Sequence, residues 1–123
     1  MRGLFITGTN TGVGKTHVGV LIARSLVYAG HRVGVYKPVE SGCQREDQSG
    51  DSALIAADAQ ALWNAAGRPG DLSQVCPQRF EAALAPPQAA DLESTRVDRE
   101  LLRSGLEYWK QECEIVLVEG AGG

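Results

Sequence analysis

The strongest constraint on this chain is a glycine-rich stretch that lies between an apolar run and a helix-forming segment. Residues 8–16 read Gly-Thr-Asn-Thr-Gly-Val-Gly-Lys-Thr. The preceding run, Leu-Phe-Ile-Thr at 4–7, predicts a short buried strand, and residues 15–29 carry apolar side chains at helical spacing. Glycine lets the backbone turn sharply and approach a ligand closely. The order strand, tight turn, helix is typical of a domain in which helices cover a sheet.

In this context the same stretch predicts a phosphate-binding loop (P-loop). Its small residues allow backbone N–H groups to point inward around an anion, and the N-terminus of the following helix adds unpaired N–H groups. Lys15 would place its ammonium at the β- and γ-phosphates, and Thr16 would offer its hydroxyl to Mg²⁺. The spacing is a variant, because the usual motif has its first glycine at position 9, whereas this chain has Gly8.

The composition excludes several classes of protein. The chain has 123 residues, a net charge of −3 and 43% hydrophobic residues, which are ordinary values for one globular domain. It has no apolar run near the roughly 18 residues that span a bilayer, and its mild acidity gives no general attraction for nucleic acid. Three cysteines without a CxxC pair indicate neither a disulfide framework nor a zinc site. We therefore expect a cytoplasmic protein that binds neither membranes nor nucleic acid.

The rest of the chain alternates predicted strands and helices. Further strands are predicted at 32–37 and 114–119, helices at 52–66 and 96–112, and loops at 39–50 and 71–95. Continuous apolar strands are typical of a parallel sheet with helices on both faces. We predict a three-layer α/β fold of the P-loop NTPase type, with a mainly parallel sheet, as a single domain over residues 1–123. Because a glycine-rich turn follows the third strand, we expect this domain to continue beyond residue 123.

Charged residues fall at the predicted ligand edge of the sheet. Glu119 ends the last predicted strand, where a carboxylate would face bound phosphates and bind Mg²⁺. Lys37 ends the second strand and either stabilises a phosphate or an anionic substrate at this edge, or reaches solvent. Asp51 is equally compatible with a helix N-cap and with a metal ligand.

The predicted loop 39–50 carries further polar side chains. Ser41 and Gly42 form a short polar turn that could donate hydrogen bonds to a carboxylate or a carbamate. Glu40, Glu46 and Asp47 are expected to be solvated charges of this loop.

Four motifs follow one another in a characteristic order. They are the P-loop at 8–16, Tyr-Lys-Pro-Val-Glu-Ser-Gly at 36–42, Gly-Asp-Ser-Ala-Leu at 50–54 and Val-Glu-Gly-Ala-Gly-Gly at 118–123. Together they resemble dethiobiotin synthetase, the ATP-dependent P-loop family of biotin synthesis. The Lys-Pro-x-x-Ser-Gly segment is the specific motif, and the last motif is shared with related amidoligases. One departure is Ala-Pro-Pro-Gln-Ala-Ala at 85–90, where the family commonly has a histidine after the first proline.

The resemblance implies an ATP-dependent cyclo-ligase that forms the dethiobiotin ring from 7,8-diaminononanoate (diaminopelargonate), CO₂ and ATP. An amine of the substrate takes up CO₂ as a carbamate, the carbamate oxygen attacks the γ-phosphorus, and the second amine closes the ring with release of phosphate. The resemblance also implies Mg²⁺ as cofactor and a homodimer, part of whose substrate and dimer surface is formed by residues beyond 123.

The resemblance further implies roles for individual residues. Lys37, Lys15 and Thr11 are implied in catalysis, and Ser41 in substrate binding. Thr16, Asp51 and Glu119 are implied as Mg²⁺ ligands. The implied nucleotide-binding residues are Gly12, Val13, Gly14, Lys15, Thr16, His17, Asp51, Glu119, Gly120, Ala121 and Gly122.

Three alternatives share parts of this pattern. A partition-type ATPase has a similar variant loop but usually carries a second lysine within it, where this chain has Thr9 and Asn10. Against a cobyrinate-amidase-like ligase stands the Lys-Pro-x-x-Ser-Gly segment. The third alternative is a truncated nucleotide-binding domain without activity. A chain that ended at residue 123 would leave a sheet edge uncovered, and such a domain is expected to be poorly stable and inactive.

Overall fold

The computed structural model describes residues 2–6, 13–47 and 53–120. Within these ranges no helix is long and apolar enough to cross a membrane. The elements of the described residues are, in chain order, β1 (Arg2–Ile6), α1 (Val13–Tyr28), β2 (Val33–Tyr36), β3 (Val39–Glu40), β4 (Gln44–Arg45), β5 (Leu54–Ile55), α2 (Ala57–Ala65), α3 (Leu72–Val75), β6 (Gln78–Arg79), α4 (Pro86–Leu92), α5 (Arg99–Glu112) and β7 (Ile115–Glu119).

The main sheet is built from β1, β7 and β2, with β7 in the centre. Both pairings are parallel, and Leu117 of β7 is level with Leu4 of β1 and with Val35 of β2. Parallel neighbours need crossover connections, which helices usually supply. Here α1 joins β1 to β2, and α5 leads into β7. The predicted α/β fold with a mainly parallel sheet is confirmed.

Helices cover both faces of the main sheet at β7 and β2. The prediction that the first strand is buried is wrong, because β1 is an edge strand with Leu4 44% and Phe5 66% exposed. Neighbouring residues along a strand point to opposite faces, whereas residues level with each other share a face. Leu117 and Val35 share the face of α1 and α2, where a Cβ at Gly19 of α1 would lie 3.7 Å from Leu117 and 2.8 Å from Leu62 of α2. Gly34 points to the other face, against Trp109 of α5. The predicted three layers are therefore present.

The predicted helix at 52–66 is wrong in its first part. Helix α2 begins at Ala57, and Leu54–Ile55 instead pairs antiparallel with Gln44–Arg45, inside the predicted loop 39–50. Ala56 occupies the N-cap position, so Asp51 is not the N-cap of this helix. Alanine and leucine are strong helix formers, and the pairing with β4 overrides that local preference.

The segment 71–95, predicted to be mostly loop, contains α3, β6 and α4. Pro86 and Pro87 occupy the first positions of α4, where a missing N–H costs no helical hydrogen bond. Buried alanines of α4 pack with Val39 and Phe80 in a small second core. The prolines therefore begin a helix here and do not indicate an irregular loop.

The three cysteines are free and buried, and Trp109 is fully buried. Burial raises the pKa of Cys43 to about 11 and that of Cys76 to about 12. Because the thiolate is the reactive form of cysteine, these two thiols are inert at neutral pH. The cysteines are thus packing residues, and the chemistry of the chain must come from other side chains.

Gly34 and Gly3 form a matched pair for testing the packing of the sheet, because both are level with Val116. A Cβ at Gly34 would lie 2.5 Å from Trp109 Cε3 and 2.7 Å from Cys113 Sγ, whereas a Cβ at Gly3 would meet only Val116, at 3.8 Å. We expect Gly34→Ala to lower the free energy of unfolding by about 1–3 kcal/mol, the usual cost of overpacking.

Gly3→Ala is the control, and we expect it to change stability by less than about 1 kcal/mol, with a gain from reduced chain entropy. Urea unfolding of both variants, made in the protein expressed from its complete coding sequence, measures the difference. Equal losses in the two variants would contradict the packing of α5 on Gly34.

Candidate active site

The site lies where β7 ends, beside the first turn of α1. Lys15 and Thr16 are in that first turn and are both buried. The ammonium of Lys15 donates a hydrogen bond to the backbone oxygen of Gly120, at 3.1 Å. The start of α1 therefore contacts Gly120, the residue directly after β7.

Glu119 is the centre of this site and is 1% exposed. Its Oε1 accepts a hydrogen bond from the hydroxyl of Thr16 at 2.9 Å, and its Oε2 accepts one from the ammonium of Lys37 at 3.0 Å. Lys37 is also buried, so the two charges form an ion pair shielded from water. Such a pair is retained only if both charges are well bonded, because removing either partner leaves an uncompensated buried charge.

The parallel register explains why these three side chains meet. Ile6 of β1 is level with Glu119, and Tyr36 of β2 is level with Val118. All three strands end at the same edge, where Lys37 follows β2 and the first turn of α1 lies near the end of β1. In open α/β sheets this carboxyl edge is the usual place for ligands.

The electrostatics of the site suit an anion together with a hard cation. Among the described residues, two buried ammonium groups lie near the carboxylate of Glu119, because Lys37 bonds it directly and Lys15 bonds the oxygen of the next residue, Gly120. The carboxylate of Glu119 and the hydroxyl of Thr16 are oxygen donors of the kind that Mg²⁺ prefers, and Mg²⁺ commonly takes one or two carboxylates and completes its shell with phosphate and water. The residues present therefore fit Mg²⁺ bound together with a phosphate.

The other predicted site residues fall into two groups. Within the described residues, Val13 and Gly14 belong to the first turn of α1, His17 is exposed on the same helix, and Ser41 is half-buried directly after β3. The remaining predicted residues lie outside the described residues: Thr11, Gly12, Asp51, Ala121 and Gly122.

Glu40 was not predicted to have a role, and the prediction that it is a solvated loop charge is wrong. Glu40 is 5% exposed, and its two carboxylate oxygens accept hydrogen bonds from the backbone N–H groups of Ala59, at 2.9 Å, and Asp58, at 3.1 Å. These N–H groups belong to the first turn of α2, where the N-cap side chain makes no capping bond. Glu46 and Asp47 are exposed, as predicted.

No sequence signal could have identified this capping bond, because helix caps are sought next to the helix and Glu40 is 18 residues away from Asp58. Burial raises the pKa of Glu40 above its ordinary value, against the opposing effect of the two backbone hydrogen bonds. Among nearby charges, Asp58 raises this pKa further and Lys37 lowers it. Burial of the carboxylate thus outweighs the hydrogen bonds that it makes.

The chain matches known proteins over nearly its whole length. Residues 2–123 match the family model described as an AAA domain. Proteins named ATP-dependent dethiobiotin synthetase BioD are similar to it, among them those of Rhodopirellula baltica (48% identical over 97% of this chain), Photobacterium profundum (38% over 97%) and Clostridium botulinum (35% over 100%). The chain spans about half the length of these relatives, between 46% and 52% of each.

The contribution of Glu40 to stability should change with pH in one direction. Because its pKa is raised on folding, the folded protein binds this proton more tightly than the unfolded chain does. Its contribution is therefore greatest below the ordinary pKa of 4.5 and falls as the pH rises through the folded value. The Glu40→Gln amide does not titrate, so wild type should lose stability relative to this variant over that rise. Urea unfolding of both proteins between about pH 4 and 7 measures this difference. If the stability of wild type relative to Glu40→Gln increased with pH, the result would contradict the burial of the carboxyl group.

Proposed function

Since the chain belongs to the AAA domain family and its site combines P-loop residues with Lys37, we propose that the protein is an ATP-dependent dethiobiotin synthetase. It converts 7,8-diaminononanoate, CO₂ and ATP into dethiobiotin, ADP and phosphate. The observation that carries the proposal is the contact of Glu119 with both Thr16 and Lys37, which joins a P-loop hydroxyl to the lysine of the Lys-Pro-x-x-Ser-Gly segment. The names of the similar proteins support the same activity.

Nucleotide binding is assigned to the start of α1 and to the residues after β7. Lys15 makes a 3.1 Å bond to the oxygen of Gly120, and a β- or γ-phosphate offers its ammonium a charged acceptor nearby. The backbone N–H groups from Gly12 to His17 surround the phosphates at the helix N-terminus. Glu119 to Gly122 line the other side of the nucleotide.

Thr16 and Glu119, together with Asp51, would hold Mg²⁺. When bound, the ion neutralises negative charge on the triphosphate. The burial of Glu119 serves this role, because a carboxylate that is already removed from water and oriented by Thr16 needs little reorganisation.

Lys37 is assigned to the reacting groups. One amine of the substrate adds to CO₂ and loses a proton, which gives a carbamate. A carbamate oxygen then bonds to the γ-phosphorus as the bond to ADP breaks, and the second amine attacks the carbonyl carbon of the resulting anhydride and expels phosphate. Lys37 and Lys15 offset the repulsion between the carbamate and the triphosphate, because both ammonium groups lie at the same edge of the sheet.

Ser41 is assigned to substrate contact and Thr11 to the carbamate and γ-phosphate. The segment 36–42 leaves the carboxyl edge directly after β2, so it is the part of the described chain best placed to present the substrate to the phosphates. We also infer that the protein is cytoplasmic and acts as a homodimer, in which residues beyond this chain complete the substrate site.

The direct test of this function is fixation of labelled bicarbonate by the protein expressed from its complete coding sequence. With diaminononanoate, ATP and Mg²⁺, we expect label in dethiobiotin and one ADP formed per ring closed. Omission of either the diamine or ATP is the control and should abolish the product. ATP hydrolysis without label in dethiobiotin would refute the ligase function.

The role of Lys37 is tested by Lys37→Met, which keeps the bulk of the side chain but removes its charge. We expect turnover to fall by roughly 100-fold or more, the usual loss when a group that stabilises the transition state is removed, while the affinity for ADP changes little. Lys110→Met is the control, because Lys110 is exposed and, within the described part of the chain, pairs with Glu107 on the same helix. Equal losses of turnover and of ADP affinity would show that Lys37 is structural.

A further inference from the structure

Glu40 connects the two parts of the proposed site. On one side it belongs to the segment 37–42, which carries Lys37 and Ser41. On the other side its carboxylate holds the first turn of α2 through Asp58 and Ala59. Because helix N–H groups without a partner favour an anion, this bond is charge-assisted and directional.

The backbone of the segment 37–42 is held separately by the neighbouring chain. The N–H of Lys37 donates to Val75 at 2.8 Å, and the N–H of Gly42 donates to Ala82 at 3.0 Å. The oxygen of Glu40 accepts from the N–H of Phe80, at 2.8 Å. These bonds fix the segment to residues 75–82, but none of them reaches α1 or α2.

Helix α2 supplies a second connection to α1, beside the side-chain contacts of Lys37 and Thr16 with Glu119. Its Leu62 packs closely on Gly19 of α1, and α1 carries Lys15 and Thr16 in its first turn. A path of direct contacts thus runs from the segment 37–42 through Glu40 to α2 and from there to α1. Helices packed in this way move as rigid units, so a bond at the end of one fixes the position of the other.

We propose that Glu40 is a positioning residue that sets the segment 37–42, with Lys37 and Ser41, in place relative to the P-loop. This proposal rests on the proposed function. It assigns to Glu40 no contact with substrate or nucleotide. Glu40 acts by fixing the distance between the groups that bind the diamine and those that bind ATP.

Glu40 is 5% exposed, and burial raises its pKa despite the two backbone hydrogen bonds. Removing a charge from such a buried position also removes its desolvation cost. We therefore expect the protein to fold when Glu40 is replaced by the neutral, isosteric glutamine.

Hydrogen exchange of the protein expressed from its complete coding sequence tests the connection without using activity. A glutamine keeps one acceptor oxygen but turns an amide N–H toward a backbone N–H, so Glu40→Gln loses at least one of the two bonds. We expect faster exchange of the amides in 37–42 and in the first turn of α2, with unchanged exchange in β7. Glu81→Gln is the matched control, because Glu81 is exposed and pairs with Arg45 outside the site. Unchanged exchange at both places in Glu40→Gln would overturn the proposal.

Steady-state kinetics of the same variants tests the consequence. We expect Glu40→Gln to lower kcat/KM for the diamine by roughly 10- to 100-fold, the scale of small misplacements of reacting groups, with KM for ATP within about twofold of wild type. Equal loss with respect to both substrates, or a lowered active fraction with normal constants, would show a structural role only. If wild type fixes no label, the proposed function fails, whereas hydrogen exchange still decides whether Glu40 holds the segment.

Discussion

The contact of Glu119 with Thr16 and Lys37 organises the site of this protein. Three segments that are far apart in sequence meet at this carboxylate, two of them from the first third of the chain and one from its end. A buried carboxylate is unfavourable without partners, so the sheet must deliver a hydroxyl and an ammonium to the same point. The parallel arrangement of β1, β7 and β2 does this by ending all three strands at one edge. In the proposed function Glu119 and Thr16 would hold Mg²⁺, and the ammonium groups of Lys15 and Lys37 would offset the charge of the phosphates.

Glu40 and Glu119 are two buried carboxylates with different tasks. Glu119 lies in the site, and each of its oxygens accepts a hydrogen bond from a side chain that is itself a candidate ligand group. Among the described residues the carboxylate of Glu40 accepts from backbone N–H groups of α2, and so it connects elements of the fold. Lys37, which bonds Glu119, precedes Glu40 by three residues along the chain. The segment that leaves β2 is therefore held at both ends, by Glu119 at the sheet edge and by Glu40 at the helix.

Much of the fold and part of the site could be predicted, because their signals are local. The apolar run at 115–118 and the helical spacing in α1 and α5 are visible within a few residues, and the structure places strands and helices there. The short strands β4 and β5 were not predicted, because Leu54–Ile55 forms a strand by pairing with Gln44–Arg45. The helix α4 was missed because prolines indicate a loop unless they occupy the first turn of a helix.

The sequence by itself determined that this chain forms a parallel α/β domain with a P-loop, and that Lys15, Thr16, Lys37 and Glu119 are candidates for one site. These features follow from the order of short apolar runs, glycines and charges, each read within a window shorter than one strand or helix. Only the tertiary structure decided that Lys37 pairs with Glu119 and does not reach solvent, and that Glu40 is buried as the cap of α2. Contacts between residues 18 or 82 positions apart depend on how elements pack, and packing energy is shared among many side chains that no local pattern records.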